Sequence, residues 1–201
     1  MNKKIKKKNI IITGASNGLG SLISQELSKD GHKLALISRS EKKLKNVVKT
    51  CHNSDIHKFV SVDFQNLENI GIAIKKIITS LKKIDIIIHV AGGGLGIKNH
   101  LPTNEEYLKV FNLNLFSIFE INRSIIPNLI KNKSGTIIHV GSIASNEAVG
   151  SISYNVAKSA LSPYVRTLSK YLAKDNICVT GIAPGGFIYK NNAMGRLKKT
   201  N

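Results

Sequence analysis

Six short runs of aliphatic and β-branched residues alternate along this chain with longer stretches in which apolar positions recur every three or four residues. The runs Ile10–Ile12, Leu34–Ile37, Phe59–Val62, Ile84–Val90, Thr136–Val140 and Ile177–Ile182 are too short for helices and are bounded by turn residues, so each predicts a strand. Between the first two, Leu19, Leu22, Ile23 and Leu27 predict a helix that stops at Gly31, where a helix end favours a left-handed residue. Ser40 caps a second helix with Leu44, Val47, Val48 and Cys51 inward, and Ile70, Ile74, Ile77, Ile78 and Leu81 mark a third. Thr103 to Glu106 has the capping-box form and opens a long helical stretch carrying Tyr107, Val110, Phe111 and Leu115. A last helix spans Ser153 to Lys174, with Ala157, Ala160, Leu161, Tyr164, Leu168 and Leu172 inward. Pro163 inside it is expected to cost about 3 kcal/mol or to kink it. This alternation predicts an α/β fold, a single doubly wound domain over residues 1–201 with six parallel strands and helices on both faces.

The unusual residues fall just past the carboxyl ends of the strands, where open α/β sheets bind ligands. Gly14, Gly18 and Gly20 lie between the first strand and its helix. Gly14 permits a tight turn, Gly18 lets the backbone approach a pyrophosphate, and Gly20 lets the helix pack closely on the strand. The helix N-terminus then offers unpaired N–H groups and the positive end of its dipole to an anion. Arg39 follows strand two, Asp63 strand three, Ala91-Gly92 strand four, Ser142 strand five and Pro184-Gly185 strand six. A set of purely structural turns would scatter over both ends of the sheet.

Composition narrows the function classes. Apolar residues make up 42% of the 201, enough for a globular core. No stretch approaches the roughly 20 apolar residues of a membrane span, and the apolar run after the N-terminal lysines breaks at Gly14, too early for a signal peptide, so a cytoplasmic protein is expected. Cys51 and Cys178 are far apart, which indicates neither a disulfide framework nor a metal site. The formal charge of +18 raises nucleic acid as a partner, but only four of the 30 basic residues are arginine and the lysines are spread over nearly every helix. They read as solvated faces, and the run Lys3–Lys8 as a frayed terminus.

Tyr154 and Lys158 stand four apart on a helix and so share a face, at the sheet edge where Ser142 closes strand five. With TGASNGLG at 13–20, Ala91-Gly92, Asn114 within Asn-Leu-Asn, Ser142 and Tyr154-Asn-Val-Ala-Lys158, the chain resembles the short-chain dehydrogenase/reductase family from Ile10 to about Gly186. The resemblance implies a Rossmann-type fold and hydride transfer between a nicotinamide and a small carbonyl or alcohol substrate. It makes Tyr154 the general acid/base, gives Ser142 the positioning of the reacting oxygen, and has Asn114 hold a proton-relay water. Lys158 would bind the nicotinamide ribose and favour the ionised tyrosine, in line with the physics that a free phenol titrates at about 10 and needs a nearby cation to work lower. Gly14, Ser16, Asn17, Gly18, Leu19, Gly20, Ser38, Arg39, Asp63, Ala91, Gly92, Tyr154, Lys158, Pro184 and Gly185 would bind the cofactor. An acidic residue after strand two would accept both ribose hydroxyls; Ser38-Arg39 stands there instead, and arginine suits a 2′-phosphate, so NADP(H) is favoured over NAD(H). A homodimer through the helices after strands four and five is also implied.

Three departures from the family pattern set further expectations. His89-Val90 stands where the family shows an asparagine pair; His89 either replaces one of those asparagines or, as expected, is a core histidine. After Gly186 the family's threonine is absent, and Phe187-Ile188-Tyr189 leads to Asn191-Asn192-Ala193-Met194. The family continues through a helical segment and a seventh strand where this sequence reaches Asn201, so strand six is expected to be an open edge and the chain marginally stable, prone to associate and weakly active. The alternative reading is accordingly a catalytically weak, nucleotide- or partner-binding form of the same fold.

Overall fold

The computed structural model describes residues 5–186, so the run from Phe187 to Met194 lies outside the described residues. The strands are β1 (Asn9–Thr13), β2 (Lys33–Ser38), β3 (Lys58–Ser61), β4 (Ile86–His89), β5 (Gly135–Val140) and β6 (Ile177–Ile182). All pair in parallel in the order β3-β2-β1-β4-β5-β6. The order reverses between β1 and β4, which opens a crevice at their carboxyl ends. Among the described residues β6 has one neighbour, β5.

Helices α1 (Gly18–Lys29) and α2 (Glu41–Thr50) cover one face; α3 (Leu67–Leu81), α5 (Ser117–Lys131) and α6 (Ile152–Leu172) cover the other, and α4 (Asn104–Phe111) leans on α6. This two-sided cover explains the unbroken isoleucine run of β1. Ile10 and Ile12 enter the layer beneath α1 and α2 while Ile11 enters the opposite layer, and all three are fully buried. No described helix is long and apolar enough to cross a membrane.

Four details differ from the periodicity. In α1, Leu22 is exposed, and Gly20, Ser21, Ser24 and Ser28 are the buried positions. Their small volume lets the helix sit close to the sheet, and the hydroxyls are satisfied locally, Ser24 Oγ donating to Gly20 O at 2.7 Å and Ser28 Oγ to Gln25 O at 2.7 Å. Strand β4 is trimmed to Ile86–His89, and side chains serve the backbone beyond both ends: Asn128 Oδ1 accepts the Ile84 N–H at 3.1 Å, and Thr13 Oγ1 accepts the Val90 N–H at 3.1 Å. The long stretch after Thr103 is two helices joined by a π-turn at Asn112–Phe116. Helix α6 continues through Pro163, more than a turn beyond Lys158. At the start of the sheet, Lys8 belongs to the fold, its N–H donated to His32 Nδ1 at 3.1 Å.

Candidate active site

The first turn at the crevice is built by contact. Gly14 has φ +66°, and a Cβ there would lie 2.8 Å from the Ala91 backbone; a Cβ on Gly20 would strike the Gly14 carbonyl oxygen. Thr13 Oγ1 accepts the N–H groups of both Val90 and Ala91, at 3.1 and 3.2 Å, which ties the loop after β1 to the loop after β4. The N-termini of α2, α3 and α4 are closed by the side chains of Ser40, Asn66 and Thr103. That of α1 is not: Asn17 makes no side-chain cap bond, and the first turn has no acidic residue. Asn17, Gly18, Leu19 and Gly20 line the crevice, and N–H groups left without a side-chain cap are a donor set suited to a pyrophosphate.

A cleft of about 880 Å³ follows the carboxyl edge of the sheet. Gly14, Ser16, Asn17, Gly18, Leu19, Gly20, Ser38, Arg39, Asp63, Ala91, Gly92, Ser142, Tyr154, Lys158, Pro184 and Gly185 all line it, so the positions expected from sequence are brought together, Asn114 excepted. At one end Ser16 Oγ and Ser38 Oγ are 2.7 Å apart, beside Arg39 and Lys43. Asp63 lines the same end and accepts the Gln65 N–H at 3.0 Å.

At the other end, α6 delivers Tyr154 and Lys158 from one face. Lys158 is buried, donates to Val140 O at 3.1 Å and lies 5.8 Å from the Tyr154 ring centroid. Burial pushes its pKa down to about 8. Ser142 sits in extended backbone after β5, its Oγ accepting the Ala144 N–H at 3.1 Å. Two further serines stitch this loop to α6: Ser145 Oγ donates to Lys158 O at 3.0 Å, and Ser159 Oγ to Ser145 O at 2.7 Å. The relative placement of Ser142, Tyr154 and Lys158 is therefore fixed by the scaffold. Tyr154 stands close to two glycines, since a Cβ on Gly94 would lie 3.8 Å from its ring Cγ, and one on Gly150 3.3 Å from its Cδ1.

Asn114 lies behind the cleft and is fully buried. Its Oδ1 accepts the Gly93 N–H at 2.9 Å, while Nδ2 donates to Gly93 O at 2.9 Å and to Val110 O at 2.8 Å. The last bond supplies Val110 with a donor inside the π-turn, and the pair to Gly93 holds the loop after β4. His89 is a core residue, its Nε2 2.8 Å from Asn122 Oδ1 and its ring stacked on His139 at 4.7 Å. Lys43, which the sequence offers with Lys42 as a partner of Arg39, lines the cleft, and so do Leu95, Ile143 and Val149 from the loop after strand four and the stretch from Ile143 to Ser153, where substrate-selecting residues are expected. Sequence reasoning missed the role of Thr13, which adjoins the glycine turn.

The family model described as short chain dehydrogenase matches residues 8–198. The chain is 35% identical over 187 residues to a 3-oxoacyl-[acyl-carrier-protein] reductase of Buchnera aphidicola subsp. Baizongia pistaciae, covering 90% of this chain and 74% of that one. It is similar in structure to an L-sorbose reductase from Gluconobacter frateurii solved with NADPH and L-sorbose (TM-score 0.85, 25% identity, 100% of this chain and 82% of that one). It is likewise similar to an NADH-dependent reductase solved with NAD (TM-score 0.81, 26% identity, 90% and 79%).

Proposed function

We propose, starting from the fact that the chain belongs to the short-chain dehydrogenase family and is an oxidoreductase of CH–OH and C=O groups, that it uses NADP(H) and that Tyr154 carries the proton. One observation supports this reading most: a single cleft has Ser142, Tyr154 and Lys158 at one end and Arg39 with Lys43 at the other. The cleft fits a dinucleotide, with the uncapped α1 N-terminus and the Gly14–Gly20 cradle at its middle to hold a pyrophosphate. When bound, the nicotinamide supplies or takes the hydride. Tyr154 gives its hydroxyl proton to the carbonyl oxygen in reduction and recovers it from the alcohol in oxidation. Ser142 Oγ donates a hydrogen bond to the same oxygen, and the buried Lys158 ammonium stabilises the phenolate left behind. Asn114 holds Gly93 and so the shape of the wall opposite.

Arg39 decides the cofactor. A charge-assisted hydrogen bond is worth about 1.5–3 kcal/mol, so Arg39→Ala should weaken NADPH binding about 10- to 100-fold and move NADH little. Lys43 lines the same end and can share the load, so calorimetric titrations include Arg39→Ala/Lys43→Ala. An unchanged NADPH-to-NADH ratio in the double variant refutes the assignment.

Association of two copies is the second part of the reading. Leu108 on α4 and Ile152 and Val156 on α6 are exposed apolar residues of the two helices that also carry Phe111 and Tyr164. Sedimentation velocity should show a dimer that Val156→Glu splits; a monomer at micromolar concentration argues against it.

A further inference from the structure

We propose that the substrate end of the cleft selects an uncharged carbonyl compound with an apolar chain, or the matching secondary alcohol, through a wall made by Leu95, Ile143 and Val149; this rests on the oxidoreductase reading above. All three line the cleft and keep 47%, 37% and 43% of their surface exposed. Each adjoins a residue of the chemistry or its neighbour: Leu95 follows Gly94, which stands close to Tyr154; Val149 precedes Gly150, which does the same; and Ile143 follows Ser142. Among the described residues the remaining charged groups of the lining are Arg39, Lys43 and Asp63 at the nucleotide end, and Lys158, which is buried and bonded to Val140 O. A carboxylate or phosphate on the substrate would be stripped of water with no ion opposite it among the described residues.

The backbone of Leu95 supports the assignment independently. It has φ +55°, a left-handed conformation that costs an ordinary residue about 1–2 kcal/mol, and it sits between Gly94 and Gly96 in a loop where glycine would be free of that cost. The strain is retained together with the side chain. The other two walls are preformed: the Ile143 N–H donates to Pro184 O at 3.2 Å, the Glu147 N–H to Ile143 O at 2.8 Å, and Asn155 Nδ2 to Glu147 O at 2.8 Å. A rigid apolar wall rewards each methylene that it shields from water.

The test is NADPH oxidation with straight-chain methyl ketones of increasing length, set against 2-oxo acids and ketoses. Each added methylene should raise kcat/KM about fourfold until the wall is filled. Leu95→Gly, which relieves the backbone, should hold or raise the unfolding temperature and cut that gain to less than about twofold per methylene. Turnover of 2-oxo acids or ketoses as fast as the ketones overturns the substrate class while leaving the oxidoreductase reading intact. A full chain-length gain in Leu95→Gly overturns the role of the wall. No turnover of any carbonyl compound with either nucleotide overturns both.

Discussion

Tyr154→Phe should cut carbonyl turnover by about 10²- to 10⁴-fold, the worth of a positioned general acid, and leave nucleotide affinity close to that of the parent protein. The substitution is clean because what locates the residue is its ring. Gly94 and Gly150 leave room for the ring, which a Cβ on either would approach within 3.8 and 3.3 Å, and α6 is stitched to the loop after β5 through Ser145 and Ser159, so phenylalanine keeps the placement and loses only the transferable proton. Lys158→Ala is the contrasting variant and should harm turnover and nucleotide binding together. Its ammonium is the donor to Val140 O, which would be left without that partner, and it lies where a Cβ on Gly92 would come within 3.0 Å. Steady-state rates with a fluorescence titration of nucleotide separate the two. Parent-like rates in Tyr154→Phe on any substrate would remove the acid/base assignment.

The parts of this protein legible in its sequence are those where one physical demand leaves one residue type. A parallel strand covered on both faces must be apolar throughout, and Ile10–Ile12 says so directly. A turn pressed against Ala91 must be glycine, and Gly14 is. The edge on which the chemistry collects is legible from the strand ends alone. What stays illegible depends on partners remote in sequence or on size read as polarity. Ser24 and Ser28 are polar letters used for their small volume. Thr13 meets Val90 and Ala91 more than 70 residues away. The π-turn rests on the Asn114 amide serving Val110 O, which no periodicity announces. Resemblance makes Asn114 the holder of a proton-relay water, while the bonds of its side-chain amide to Gly93 and Val110 depend on the fold. His89 and His139 are a product of register, since they are direct partners across β4 and β5.

That histidine pair should make the protein acid-labile well above the carboxylate range. The rings stack at 4.7 Å with planes 10° apart, both residues are buried, and His89 Nδ1 and both nitrogens of His139 have no partner among the described residues. Burial pushes the His89 pKa down to about 4, although its bond to Asn122 opposes the shift. Burial, reinforced by His89 and Lys158, pushes His139 down to about 2. Unfolded, each titrates near 6.5, so below that pH the unfolded chain binds protons that the folded chain refuses. The stability is complete above about 6.5 and falls as pH drops toward the folded values, by about 1.4 kcal/mol per unit for each histidine. By about pH 5 the pair alone removes on the order of 4 kcal/mol, a large share of a typical stability of roughly 5–15 kcal/mol. His57, whose pKa burial also lowers, acts in the same direction. The unfolding temperature should therefore fall steeply between about pH 6.5 and 5. His139→Phe supplies the decisive comparison: a phenylalanine ring can keep the face to His89 and the edge to Tyr164, and it carries no nitrogen to leave unpaired. This variant should be at least as stable at neutral pH and lose roughly half of the acid slope. A parent protein whose unfolding temperature is flat from about pH 7 to 5, or a variant with an unchanged slope, would show that the pair is not what couples this fold to acid.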